Sequence, residues 1–135
     1  MSIQCSITTP EKLVYQGAAR VVVVPASDGE LGILSRHAAL MSLLGTGELR
    51  LEEESGSYVR FFISGGFVQV ADNEVNILAT EAEAASDIDR AEAQAALDKL
   101  RSEAPGSGLT ADERNEWQSR ISAAQTRVKI ASKAG

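Results

Sequence analysis

The chain has 135 residues, 44% of them hydrophobic and only 4% aromatic, and carries a formal net charge of −6. That length admits one well-buried core with an appendage, and the apolar content excludes a disordered chain, so the core must be built mainly of Val, Leu, Ile and Ala. The acidic balance argues against nucleic acid or an anionic membrane surface as the main partner.

The opening Met1-Ser2-Ile3-Gln4-Cys5-Ser6 has neither the basic segment nor the apolar run of a secretory signal. No apolar stretch approaches the roughly 18–20 residues that cross a bilayer, so no direct bilayer insertion is expected. Cys5 is the only cysteine, which excludes an internal disulfide and predicts a small packing residue at a strand start.

Up to about Thr80 the chain reads as short strands separated by turn residues. Val21-Val22-Val23-Val24 predicts a strand covered on both faces and stopped by Pro25, with a turn at Ser27-Asp28-Gly29. Glu48-Leu49-Arg50-Leu51-Glu52 alternates as a half-solvated strand does. Val59, Phe61 and Ile63 share one face of the next strand, which is expected to end in a tight turn at Ser64-Gly65-Gly66. Phe67-Val68-Gln69-Val70 then turns through Asp72-Asn73 into Val75-Asn76-Ile77-Leu78. Many short strands without a helical period between them predict an antiparallel β-sandwich over residues 1–86.

The period changes after Ser86. Ala93, Ala96, Leu97, Leu100 and Ala104 fall on one face of a helix over about 88–103, with Ser86 or Asp87 as the expected cap. Pro105-Gly106-Ser107-Gly108 ends it, and Gly106 and Gly108 are the expected hinge. A second helix, about 111–132, starts from Thr110, three residues before Glu113, which is a capping-box spacing. Its stripe is Trp117, Ile121, Ala124, Val128 and Ala131. Two helices joined by a short Gly-rich loop form an antiparallel hairpin, so residues 87–135 are expected to be a helical appendage. The charge is uneven: residues 110–135 hold five Lys/Arg against three Asp/Glu, whereas residues 1–86 hold five against eleven.

Sites for chemistry are absent from this pattern. A zinc site needs several His or Cys ligands, and the chain has one of each, His37 and Cys5. Ser64-Gly65-Gly66 lacks the flanks of a nucleophile elbow, and Gly45-Thr46-Gly47 lacks the Lys-Ser/Thr of a phosphate loop. Glu52-Glu53-Glu54 reads as a solvated turn, and nothing near His37 in sequence orients it as a base. The expectation is therefore a non-catalytic interaction module, with no catalytic residues, no metal and no cofactor.

The segment Gly29-Glu30-Leu31-Gly32-Ile33-Leu34-Ser35-Arg36-His37-Ala38-Ala39-Leu40 resembles the signature stretch of the epsilon-subunit family of rotary F-type ATP synthases. Ile63-Ser64-Gly65-Gly66-Phe67, Val75-Asn76-Ile77-Leu78-Ala79 and Arg127-Val128-Lys129 match in order. The resemblance implies a β-sandwich and helical hairpin on the central stalk of the synthase, at the cytoplasmic face of a bacterial plasma membrane or at the organellar equivalent. Its implied partners are the gamma subunit, the c ring and, through the hairpin, the catalytic head. It implies that Glu30 faces the c ring and that His37 lies near the gamma contact. Arg114, Arg120, Arg127, Lys129 and Lys133 would form the basic helix that inhibits hydrolysis.

Some members of that family bind ATP through I/L-D-x-x-R-A. Here Ile88, Asp89 and Ala93 are kept, but Glu92 stands where the arginine belongs. Arg90 is two residues away, about 200° around a helix, and cannot substitute, while a carboxylate repels phosphate. An unrelated sandwich adaptor and a nucleotide-sensing module are the alternative readings.

Overall fold

The computed structural model describes residues 2–26, 29–103 and 108–133. Eight strands come first: β1 (Ile3–Thr8), β2 (Leu13–Ala19), β3 (Val21–Ala26), β4 (Gly29–Leu34), β5 (Leu40–Leu43), β6 (Thr46–Glu52), β7 (Tyr58–Ala71) and β8 (Glu74–Ala84). A 3₁₀ turn, Ala85–Asp87, leads to the helices α1 (Arg90–Ser102) and α2 (Ala111–Lys133). Hydrogen bonds link the strands in the order β2-β1-β8-β7-β6-β3-β4, with β5 also on β7. Ile3 and Ile7 of β1 share one core with Val22, Leu49 and Leu51 from the far side of that path. The sheet therefore folds over on itself as a sandwich.

Not every pairing is antiparallel. β1 runs parallel to β8, with Cys5 opposite Val75 and Ile7 opposite Ile77. No hairpin joins these two strands, so no short turn forces them to run oppositely. Cys5 is 1% exposed in the core, and burial pushes its thiol up to about 12. It is a packing residue.

The expected strand end at Ser64-Gly65-Gly66 does not occur, and β7 runs through these residues as one strand of 14. Gly65 and Gly66 take φ of 71° and 108°, which glycine alone adopts readily. A Cβ on Gly66 would collide with the Leu78 carbonyl oxygen. At this kink the inward face changes parity: Phe61 and Ile63 point into the core before it, Val68 and Val70 after it. β8 changes with it, from Val75, Ile77 and Ala79 to the half-buried Ala82 and Ala84. Phe62 is thereby turned to the outer face, where the helices cover it to 4% exposure.

Pro25 does not stop β3 either. Its carbonyl accepts from the Gly45 amide at 2.8 Å, beyond the last β3–β6 ladder pair at Val23, so its missing N–H interrupts no ladder bond. Val22 and Val24 are fully buried, whereas Val21 and Val23 are half-buried rather than covered.

α1 starts two residues later than expected, because Ser86 and Asp87 belong to the 3₁₀ turn and Asp89 is the cap. α2 is capped as its spacing predicts: the Glu113 amide donates to Thr110 Oγ1 at 3.1 Å, and Thr110 Oγ1 donates to the Glu113 carboxylate at 3.0 Å. The α1 stripe is narrower than its sequence implies, with Ala93 and Leu97 buried and Ala96 exposed. On α2, Ile121 and Ala131 are buried as expected, but Ile130, outside the expected stripe, is the deepest at 1%. Ala104 and Gly106, one of the two expected hinge residues, lie outside the described residues, while Gly108 has φ of 99°.

Candidate partner-binding surfaces

Directly opposite residues on neighbouring strands project to the same face. Leu43 of β5 lies opposite Phe67, Phe67 opposite Leu78, Leu78 opposite Thr8, and Thr8 opposite Leu13. Five strands thus present one lateral row on the outer face, away from the core. Leu43 is 67% exposed, Leu13 54%, Leu78 40% and Phe67 36%. Met41, exposed, stands on the same face two residues from Leu43. Single exposed leucines are ordinary, but apolar side chains gathered along one row, interrupted by Thr8 alone, fit a surface that meets another protein. Sequence reasoning missed it, because Leu13, Leu43, Phe67 and Leu78 come from four separate strands. Its faint signal was the unbroken apolar pair Ile77-Leu78, one side chain for each face.

The structure separates Glu30 from His37. Glu30 sits near the start of β4 and His37 three residues past its end, so the strand between them spans about 13 Å. Glu30 accepts from Arg50 Nη1 at 2.6 Å and lines an open cleft of about 420 Å³ with Thr46, Arg50, Thr126 and Lys129. His37 is half-buried, with Nδ1 2.8 Å from the Ala38 carbonyl oxygen, and its amide donates to the Leu34 carbonyl. The loop that carries it is fastened by Asn73. Asn73 Oδ1 accepts from the Arg36 amide at 2.9 Å, and Asn73 Nδ2 donates to the Ser2 carbonyl at 2.8 Å. Asp72 and Asn73 both have positive φ, 52° and 61°, which builds the two-residue hairpin and aims the amide side chain.

The nucleotide-motif positions serve packing and capping. Ile88 and Ala93 are buried with Phe62, Ala85, Ile130 and Ala131 where the helices meet the sandwich. Asp89 Oδ1 accepts from the Glu92 amide, and the Glu92 side chain is exposed.

The basic residues of α2 do not form one face. Arg120 and Arg127 are seven residues apart and share a side, whereas Arg114 and Lys129 lie elsewhere around the helix. Arg114 and Lys129 are exposed. Arg120 reaches Glu116 at 3.8 Å on the surface. Arg127 instead grips the sandwich: its Nε and Nη2 each donate to the Glu83 carboxylate at 2.9 Å. The side chain of Lys133 lies outside the described residues. Among the described residues no cluster of His, Cys, Asp and Glu could hold a metal ion, and no helix is long and apolar enough to cross a membrane.

The model of the ATP synthase Delta/Epsilon chain beta-sandwich domain matches residues 2–85. The chain is 39% identical over 100 residues to the chloroplastic ATP synthase epsilon chain of Emiliania huxleyi, covering 74% of this chain and 76% of that relative. It belongs to the ATP synthase epsilon chain family. The epsilon chain of Pelargonium hortorum chloroplasts is 30% identical over 129 residues, 96% of each chain, so the likeness to this family extends through the helices. A chain of the Euglena gracilis mitochondrial ATP synthase structure containing OSCP, F1 and the c ring has the same fold. Its TM-score is 0.79 at 24% identity, over 98% of this chain and 82% of that one. Within the epsilon family frame, the sandwich carries the apolar row and the Glu30 edge, and the helices are docked on it by Arg127 and the Phe62 cluster.

Proposed function

We propose that this chain is a non-catalytic rotor subunit of a proton-translocating F-type ATP synthase, peripheral at the cytoplasmic face of a bacterial plasma membrane. It couples proton-driven rotation to ATP synthesis, and its two helices restrain ATP hydrolysis. In this reading the outer apolar row packs on the gamma subunit, with His37 beside that contact. The β4 edge at Glu30 meets the polar loops of the c ring. The helices, when released, reach the catalytic head with the basic residues Arg114, Arg120, Arg127, Lys129 and Lys133, and Gly106 and Gly108 are the bend between them.

The row Leu43–Phe67–Leu78–Leu13 carries this reading, because the sandwich core is complete without it. Burying such a side chain fully is worth about 1.5–3 kcal/mol, enough for a few of them to hold a subunit interface. The test is co-purification of the assembled complex with Phe67→Asp and Leu78→Asp. The folded variant is expected to be lost from gamma and the catalytic subunits, and full retention would overturn the assignment of this face.

A further inference from the structure

Few large side chains hold α2 on the sandwich. Phe62, Ile88 and Ile130 are the bulk of that contact, with Val128 partly buried against them, and Ala85, Ala93 and Ala131 add little apolar area each. The two parallel bonds from Arg127 to Glu83 are the polar tie between α2 and β8, joining residues 44 positions apart. Arg127 also lies in the field of Glu81 and Glu92, so carboxylates from the sandwich and from α1 converge on one guanidinium from α2. Both partners are largely shielded, at 24% and 34% exposure, where a forked pair is stronger than an open surface pair.

We infer that the Arg127–Glu83 pair is the latch that keeps the helices on the sandwich, and that ionic strength opens it. The latch deepens the proposed restraint of hydrolysis. It is nevertheless a property of the isolated chain, so its failure would leave the assembly reading intact.

The probe is a thiol introduced by Ala131→Cys, at a position 8% exposed in the docked contact, in a full-length Cys5→Ala background with no other thiol. Its alkylation rate reports the undocked fraction. Arg127→Gln and Glu83→Gln are each expected to raise that rate about tenfold, and the double variant about tenfold as well, because one shared interaction is lost in all three. Raising salt should speed alkylation of the parent but not of Arg127→Gln. Single variants within about twofold of the parent, a roughly hundredfold effect in the double, or a salt response that survives Arg127→Gln would each overturn the latch.

Discussion

Asp89 Oδ1 accepts a hydrogen bond from the Glu92 amide at 3.1 Å, closing the first turn of α1 with the acidic residue of the degenerate nucleotide motif. A capping carboxylate also complements the positive end of the helix dipole. Replacing it is expected to loosen the start of α1 by about 0.5–2 kcal/mol, seen as a lower Tm for Asp89→Ala.

The position that calls for the motif arginine instead carries Glu92, whose exposed side chain adds negative charge beside the cap. Calorimetry on the isolated chain is expected to show no saturable ATP binding below about 1 mM, a limit near −4 kcal/mol. Glu92→Arg restores the motif and is the companion variant. Saturable binding by the parent chain would contradict this expectation.

Glu30→Lys should impair coupling far more than folding. The Glu30–Arg50 pair is substantially solvated, at 59% and 35% exposure, and such pairs contribute about 0–1 kcal/mol. The reversed charge would face Arg50, so a Tm lower by a few degrees is expected alongside loss of proton pumping driven by ATP. Normal pumping in the assembled variant would remove Glu30 from the c-ring edge.

Cys5 gives stability a specific alkaline dependence. Its thiol is raised to about 12 from an ordinary value of 9.0, so between these values the unfolded chain has lost a proton that the folded chain keeps. The contribution is fully present below about pH 9 and falls as pH rises towards 12, at up to about 1.4 kcal/mol per pH unit. Urea unfolding at pH 8.5 and 10.5 should show this fall, and Cys5→Ala should flatten it.

Truncation after Ser86 should leave a folded sandwich that still assembles. The main core uses no residue of the helices, and among the residues that remain the helices protect chiefly Phe62 and Ala85. Exposing Phe62 again is expected to remove about 2 kcal/mol. ATP hydrolysis by the assembled complex should equal or exceed that of the full chain. Hydrolysis that fell on truncation would make the helices a brace instead of a restraint.

Local sequence determined the periodicities, because these depend on neighbours a few residues apart. The alternation of Glu48–Glu52, the two-residue turn at Asp72-Asn73 and the Thr110 cap of α2 were all legible, as was the order of strands first and two helices after. Turn-forming residues were the weak point, since glycine permits a turn without requiring one. Whether Gly65-Gly66 ends a strand or bends it was decided by β8, whose Leu78 carbonyl passes where a side chain would stand. Asp89 won the cap from Ser86 and Asp87 because the 3₁₀ turn, buried at Ala85, had already taken those two residues. The parallel β1–β8 pair, the outer row from Leu13 to Leu43 and the Arg127–Glu83 tie belong wholly to tertiary structure. Each joins segments far apart in the chain, where register and packing, not local propensity, select which residues meet.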